Sequence, residues 1–212
     1  MQIFPKWTNR IPLAIAVAVP VLLTSIVGLV WYYASPWYTD VGYTPKQPVS
    51  YSHKRHAGEL GIDCLYCHGN AEKTAHANVP ATSTCMNCHK FIKTDSPKLE
   101  PIRQSFAQDK PIEWVRIHKV PDYAFFNHSA HLNAGVGCVS CHGRVDQMTE
   151  VSLSKPLSMS WCLDCHRNPA PHLRPKSLVT QMDYVPTEKD KQEAQLLAAK
   201  LNPPQHCSGC HR

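Results

Sequence analysis

The chain has 212 residues, a formal net charge of +6 and no clustered run of lysine and arginine, which excludes a nucleic-acid-binding function. Its 18 prolines against 9 glycines predict sparse regular secondary structure. Because the stretch 11–34 carries no charged residue, the remainder is long enough for one water-facing unit but not for two.

The first predicted element is a transmembrane helix over 11–34, which would be about 36 Å long against roughly 30 Å of hydrocarbon. A cleaved signal peptide is the alternative. Signal-peptide cores run about 7–15 residues and end at small residues, whereas this run ends in aromatic residues, Trp31 to Tyr33, which are typical of a membrane interface. We therefore predict an anchor.

The segments on either side of the anchor predict its orientation. Lys6 and Arg10 lie in the segment 1–10, and the positive-inside rule keeps such residues in the cytoplasm. The rest of the chain then lies on the periplasmic side. Residues 35–50 contain three prolines and predict an extended, Pro-rich tether to a domain over 51–212.

The ten cysteines form five Cys-x-x-Cys-His motifs, and no cysteine is left over. Structural zinc and disulfides also use paired cysteines, but neither needs a histidine directly after the second one. The pattern predicts covalent attachment of five c-type haems, which is completed outside the cytoplasm. The predicted thioether cysteines are Cys64, Cys67, Cys85, Cys88, Cys138, Cys141, Cys162, Cys165, Cys207 and Cys210, and the predicted proximal iron ligands are His68, His89, His142, His166 and His211.

Four further histidines form two matched phrases, Tyr51-Ser-His53-Lys-Arg-His56 and Phe126-Asn-His128-Ser-Ala-His131. Histidines three apart on a helix share one face, and two such imidazoles cannot both bind one iron from the same side. Each is therefore predicted to serve a different haem, which brings two haems close together.

The phrases belong to a longer repeat, since His128 follows His53 by 75 residues and Cys138 follows Cys64 by 74. The simplest account is a duplicated two-haem unit, at 51–90 and 126–167. The fifth motif, 207–211, lies outside the duplication.

The fifth motif still needs a distal ligand. We favour His118 because it lies in an apolar extended stretch, Trp114 to Tyr123, where a surface histidine would be out of place. His76 and His172 are interpreted as solvated loop residues. The remaining candidates are His206, which directly precedes Cys207, and three methionines for which packing is favoured: Met148, Met159 and Met182.

The predicted fold is mainly irregular with short α-helices. Helices are expected from Ser96 to about Gln108 and from Thr187, as N-cap, to Leu201. About 32 residues per haem are too few for an ordinary side-chain core. The haems should therefore form the core of a multihaem cytochrome c domain, to which one N-terminal transmembrane helix is added.

These phrases together resemble the membrane-anchored pentahaem cytochrome c subunit of bacterial alternative complex III, a quinol-oxidising assembly. The resemblance covers the anchor and most of the haem domain, and it is carried by Cys85-Met-Asn-Cys-His, Ser96-Pro-x-Leu-Glu-Pro-Ile-Arg, Trp114-x-Arg-Ile-His118, Phe126-Asn-His-Ser-x-His131, Gly135-Val-Gly-Cys-Val-Ser-Cys-His-Gly-Arg-Val-Asp146 and Trp161-Cys-Leu-Asp-Cys-His-Arg-Asn-Pro169. It implies three kinds of partner: an iron–sulfur subunit, polytopic quinol-binding subunits, and a monohaem cytochrome c or terminal oxidase as acceptor.

The paired histidines are also similar to those of the small c3- and c7-type cytochromes. That similarity implies His53 on the haem of His68 and His128 on the haem of His142. The three other predicted distal ligands, His56, His131 and His118, would share the remaining haems in an order left open.

The expected function is electron transfer within a membrane-bound quinol:acceptor oxidoreductase, with no catalysis by this chain alone. Catalysis at haem needs an open coordination position, and there are enough histidines to close every iron. The alternative is a self-sufficient membrane-anchored quinol dehydrogenase of the short tetrahaem type. It would need a proton acceptor at the membrane surface, and Asp40 is the acidic residue nearby.

Overall fold

The computed structural model describes residues 3–211 and divides them into two compact units, which meet in sequence between Asp40 and Val41. Each unit is described by itself.

The first unit is built on one long apolar helix. A 3₁₀ turn, Lys6–Arg10, leads into α1, Ile11–Tyr33, and a short helix, α2, Pro36–Thr39, follows. The helical stretch Lys6–Tyr33 has 28 residues, and its most apolar 18-residue window has a mean hydropathy of 2.6, so it is long and apolar enough to cross a membrane. Pro20 lies inside α1, and the hydroxyl of Thr24 donates to the Pro20 carbonyl at 2.9 Å.

Aromatic side chains gather where α1 ends. The ring centroids of Tyr32 and Tyr33 lie 5.2 Å apart, and those of Tyr33 and Tyr38 lie 4.7 Å apart. Rings of this kind combine an apolar body with a polar tip, which suits a membrane–water boundary.

The second unit consists of short helices joined by irregular segments. No strand occurs within residues 3–211; two isolated bridges, Ala124 with His211 and Val136 with Leu173, are the β-type pairings there. The prediction of a mainly irregular fold with short helices is confirmed. The helices are α3 Cys64–Cys67, α4 Thr82–His89, α5 Glu100–Gln108, α6 His128–Asn133, α7 Val139–His142, α8 Met159–Arg167, α9 Glu188–Lys200 and α10 Cys207–Cys210.

Two of these helices lie where the sequence predicts them. Helix α9 begins with a capping box, in which the Asp190 amide donates to the Thr187 hydroxyl at 3.2 Å and the Thr187 amide donates to Asp190 Oδ2 at 2.8 Å. It ends before Pro203, which cannot continue a helix. Helix α5 starts later than Ser96, because a 3₁₀ turn, Pro97–Leu99, precedes it.

The buried apolar side chains of residues 3–211 are few, and two of them are alanines. At this length a unit normally needs a larger buried surface to fold, so side-chain packing alone gives the second unit a small core. The buried apolar residues are Val49, Ala71, Ile102, Leu132, Leu153, Leu173, Val179, Met182 and Ala194.

The predicted tether is divided between the two units. Its first part forms α2, while the part from Val41 onward packs within the second unit. Leu153 donates to the Tyr43 carbonyl at 3.0 Å, and Gly42 donates back to the Leu153 carbonyl at 2.8 Å. The side chain of Gln47 also makes two hydrogen bonds to the backbone of Val115, at 2.9 and 3.0 Å. The prolines leave this backbone extended, and an extended backbone can pair with a neighbouring segment.

Candidate haem-binding site

Four of the cysteine pairs lie within a helix, α3, α4, α8 or α10, and in the third motif Cys138 is the N-cap of α7, which contains Cys141. In three motifs the histidine amide donates to the carbonyl of the first cysteine: His68 to Cys64 at 2.8 Å, His142 to Cys138 at 3.0 Å and His211 to Cys207 at 2.8 Å. A turn closed in this way places the two thiols three residues apart on one face. The imidazole follows directly, as attachment of one haem requires.

The cysteines do not pair with one another. None of the ten forms a disulfide, and no group of three or more His, Cys, Asp or Glu side chains within residues 3–211 is arranged to hold a metal ion directly. Burial raises the pKa of Cys141 to about 12 and also raises that of Cys85, so these thiols stay protonated. The geometry gives pairs of unbridged cysteines, each followed by one imidazole.

Most of the ten predicted iron-binding imidazoles have an Nδ1 atom in contact with a backbone carbonyl. A carbonyl oxygen only accepts, so Nδ1 must be the protonated nitrogen, which leaves the lone pair on Nε2. Hydrogen bonds of this kind orient metal-binding imidazoles in proteins. The pairs are His56 with Ser52 at 2.9 Å, His68 with Asn78 at 2.8 Å, His89 with Ile92 at 3.1 Å, His128 with Ala75 at 3.0 Å, His131 with Asn127 at 2.7 Å, His166 with Pro204 at 2.7 Å and His211 with Tyr123 at 3.1 Å.

In two places a predicted distal imidazole lies near a predicted proximal one, at a centroid spacing that suits two imidazoles on one iron. The ring centroids are 6.2 Å apart for His56 and His89, and 6.1 Å apart for His131 and His166. Two metal–nitrogen bonds of about 2 Å, each extended by about 1.1 Å to a ring centre, give roughly 6.3 Å. In each repeat, the second histidine of the phrase thus lies near the histidine of the second haem motif.

The two phrases have the same local geometry. Tyr51 stacks on His56, with centroids 4.4 Å apart at 23°, and meets His53 edge-on at 4.8 Å. In the second phrase, Phe126 stacks on His131 at 4.5 Å and 29° and meets His128 edge-on at 4.7 Å. An aromatic ring two residues before the first histidine therefore holds both imidazoles. The aromatic residue occurs at this position in both phrases of the sequence, but spacing alone does not predict that its ring contacts both imidazoles.

Five imidazoles cluster where the two repeats meet: His53, His68, His118, His128 and His142. Burial lowers the pKa of His53 and of His118 to about 4, and that of His142 to about 3. These last three imidazoles are therefore neutral near pH 7 and can bind iron without first losing a proton. Two buried nitrogens in the cluster, His53 Nδ1 and His118 Nε2, have no hydrogen-bond partner.

His118 lies beside the third motif. Its ring centroid is 4.3 Å from that of His142, at an angle of 62°. The sequence favours His118 as the distal ligand of the fifth motif. In the structure, the ring near His211 of that motif is Tyr123, with centroids 5.8 Å apart. The fifth motif is held by other contacts: the Phe125 amide donates to the Cys210 carbonyl at 2.6 Å.

The alternative ligands differ in their exposure. His76 and His206 are exposed, whereas His172 is half-buried and burial lowers its pKa. His172 is therefore less accessible to solvent than His76 and His206. Its carbonyl accepts from Gly137 at 3.2 Å, so the segment around it packs against the third motif. Met182 is buried in the core, as its packing role predicts, and Met159 is exposed.

These observations fit covalently bound haem. Haem c needs cysteine pairs on helical turns and imidazoles with a fixed tautomer. The structure has both, together with two imidazole pairs near 6 Å and a buried Nε2 without a partner. Haem would also supply the apolar surface that the small side-chain core lacks.

The known proteins to which this chain is similar are cytochromes. The sequence model of the cytochrome c552 family matches residues 110–205. The chain is 31 % identical to the multihaem cytochrome c subunit of menaquinone reductase from Nitratidesulfovibrio vulgaris (strain Hildenborough) over 128 residues, 59 % of each protein. It is 28 % identical to the multihaem cytochrome MtrA of Shewanella baltica (strain OS185) over 158 residues, 63 % of this chain and 46 % of that one.

The chain thus spans less than two thirds of the length of both curated relatives. Together with the motifs, the similarities support a multihaem cytochrome c that carries c-type haem and transfers electrons.

Proposed function

We propose that this chain is an electron-transfer subunit with five covalently bound haems, working within a membrane-bound quinol:acceptor oxidoreductase of the alternative complex III type. The observation that carries the proposal is the facing of distal and proximal imidazoles, at 6.2 Å for His56 and His89 and 6.1 Å for His131 and His166. An iron closed on both faces by imidazole exchanges electrons but offers no position for a substrate.

In this proposal, the cysteine thiols of each motif hold one porphyrin through two thioether bonds, and the following histidine binds its iron. Bound haem would supply one-electron exchange between ferric and ferrous iron. The distal ligands proposed from the repeat are His53 opposite His68, His56 opposite His89, His128 opposite His142 and His131 opposite His166. His118, whose buried Nε2 lacks a partner, is proposed as the fifth.

The chain's own residues would keep the site ready for electron exchange without moving protons. An imidazole that binds through Nε2 and donates its Nδ1 proton to a carbonyl keeps that proton in both oxidation states. Burial of His128 and His131, whose pKa values are lowered by loss of solvent, keeps water from competing for the iron. The chain then relays electrons and does not catalyse by itself.

The proposed location is the inner (cytoplasmic) membrane of a bacterium, with α1 as a single-pass anchor and the haem domain on the periplasmic side. Its support is the apolar stretch Lys6–Tyr33, two basic residues before its apolar core, and motifs whose haems are attached outside the cytoplasm. The proposed partners are an iron–sulfur subunit, polytopic quinol-binding subunits, and a monohaem cytochrome c or terminal oxidase. One curated relative is itself a subunit of a menaquinone reductase.

The proposal is tested by comparing the purified single chain with the membrane assembly isolated through an affinity tag on it. The assembly should contain polytopic subunits and should reduce its haems with a menaquinol analogue. The isolated chain should accept electrons from a strong small-molecule reductant but not from the quinol. Rapid quinol oxidation by the isolated chain would contradict the subunit role and favour the self-sufficient dehydrogenase.

A further inference from the structure

The two repeats contact each other reciprocally. In the first repeat the Lys54 amide donates to the Met148 carbonyl at 2.9 Å, and in the second the Ser129 amide donates to the Thr74 carbonyl at 3.2 Å. Lys54 and Ser129 occupy equivalent places next to the first histidine of each phrase. Thr74 and Met148 occupy equivalent places after the first haem motif of each repeat, since they follow Cys64 and Cys138 by the same number of residues.

A second pair of contacts between the repeats is reciprocal in the same way. Asn133 Nδ2 donates to the Glu72 carbonyl at 3.4 Å. At the equivalent place in the first repeat, Gly58 packs so closely on the Asp146 carbonyl that a Cβ would overlap it. When residue i of one unit contacts j of the other and the equivalent of i contacts the equivalent of j, the units are related by a two-fold axis.

Hydrogen bonds show which haem motifs are neighbours in the structure. The first and second motifs meet where Asn87 Nδ2 donates to the Tyr66 hydroxyl at 3.0 Å. The first and third meet on one stretch of backbone: the Cys64 thiol lies 3.9 Å from the Thr180 carbonyl, and the Cys138 amide donates to the Val179 carbonyl at 2.9 Å.

The fourth motif has a neighbour on each side. Gly137, just before the third motif, donates to the carbonyl of His172, just after the fourth. His166 Nδ1 donates to the Pro204 carbonyl at 2.7 Å, and Gln205 Nε2 donates to the His166 carbonyl at 3.4 Å. These contacts join the fourth motif to the third and to the fifth.

From these contacts we infer that the chain holds its five haem-attachment sites as a chain of neighbours in the order second, first, third, fourth, fifth, with a pseudo-two-fold axis between the first and the third. The inference rests on the proposed binding of haem at every motif. The order differs from the order in sequence, because the repeats meet through the first site of each.

Exposure supports this assignment of the ends. Of the ten cysteines, Cys88 in the second motif and Cys207 in the fifth are exposed, and the others are half-buried. The second and fifth sites are therefore where partner proteins can approach most closely, while the first and third lie inside.

The order is tested with distances measured by pulsed EPR on the full-length holoprotein. A nitroxide is attached to Asp95→Cys, which follows the second motif, or to Asn202→Cys, which precedes the fifth; both positions are exposed. The ten native thiols are used in haem attachment, so the added thiol is the one that reacts. Each haem of the repeats is marked in turn by H56M, H53M, H128M or H131M. The marked iron differs from bis-histidine iron whether methionine binds it or leaves it five-coordinate.

From the Asp95 label, the distance to the marked iron should increase in the order H56M, H53M, H128M, H131M, and from the Asn202 label the order should reverse. Because H56M and H131M occupy equivalent places, each is the control for the other. A distance order that alternates between the repeats would overturn the inference. If a marked protein fails to retain five haems by mass, the iron positions in an experimental map of the unmarked protein decide the order. None of these readouts depends on quinol oxidation, so the inference and the proposed function can fail separately.

Discussion

At the scale of single residues, contacts from Nδ1 to a backbone carbonyl are common among the proposed ligands. His76 and His206 are exposed, and no contact from their Nδ1 to a carbonyl appears among residues 3–211. Seven of the proposed ligands have one. The side chain of the accepting residue is irrelevant, since any residue has a carbonyl. The sequence therefore predicts which histidines bind but not what orients them.

Replacing one distal histidine should leave one haem iron with an open coordination position. In H56G or H131G, about one fifth of the haem should become high-spin and bind carbon monoxide when reduced. The measurement is the carbon monoxide stoichiometry per haem, with H76G as the matched control because His76 is exposed. Equal binding by H76G and H56G would contradict the assignment of His56.

His118 is a separate prediction, because the structure places it beside His142 rather than His211. H118G should also make about one fifth of the haem high-spin. Near-infrared magnetic circular dichroism should show a bis-histidine band reduced by that fraction. A spectrum identical to that of the unmodified protein would mean that His118 is buried without serving an iron.

A buried carboxylate gives a pH dependence that does not involve the iron ligands. Arg144 donates to both oxygens of Asp146, at 2.8 and 2.7 Å, and these hydrogen bonds hold the pKa of Asp146 below its ordinary value. A carboxyl whose pKa is lower in the folded chain stabilises it above the unfolded pKa of about 3.9. That stability is lost as the pH falls through the folded value.

We expect Asp146→Asn to reduce the free energy of unfolding by about 1 kcal/mol at pH 7, a modest figure because Arg144 is partly exposed. The difference from the unmodified protein should shrink towards pH 2. Guanidinium midpoints at both pH values measure it, with the exposed Glu150→Gln as control. A difference that stays constant with pH would show that the carboxylate charge is not responsible.

At the scale of elements, the two phrases show what a repeat predicts and what it does not. The offset between His53 and His128 predicted equivalent units, and the stacked rings of Tyr51 and Phe126 have the same geometry in both. The backbone nevertheless differs: the first phrase continues into a π-helical turn, Lys54–Glu59, and the second into an α-helix, His128–Asn133. Side-chain spacing does not distinguish these two kinds of turn.

The stacked rings should stabilise the distal ligands. Y51L should lower the free energy needed to release the imidazole of His56 by about 1 kcal/mol, because a stacked ring contributes this much beyond its buried area. The release should therefore occur at a lower denaturant concentration. F126L should do the same for His131. Y51F keeps the ring and is the control. The appearance of high-spin haem during guanidinium titration is the measurement, and an equal loss in Y51F would assign the effect to the hydroxyl.

At the scale of the whole molecule, composition predicted an anchor over 11–34, a tether over 35–50 and a haem domain over 51–212. Three prolines in 35–50 favoured a free tether, since local sequence does not show whether an extended backbone has a pairing partner. The structure begins the second unit at Val41. The partners of Tyr43 and Gln47 are Leu153 and Val115, which are far away in sequence.

This boundary makes a prediction about two shortened chains, each exported with a cleavable signal peptide. The chain 41–212 should bind five haems and stay in the soluble fraction, because it lacks the apolar helix and keeps the contacts of the second unit. The chain 51–212 loses the hydrogen bonds of Gly42, Tyr43 and Gln47 and the buried Val49. At about 1 kcal/mol for each hydrogen bond, it should be less stable by several kcal/mol. Haem content by mass and guanidinium midpoints measure both effects. Equal midpoints for the two chains would mean that 41–50 is a tether after all.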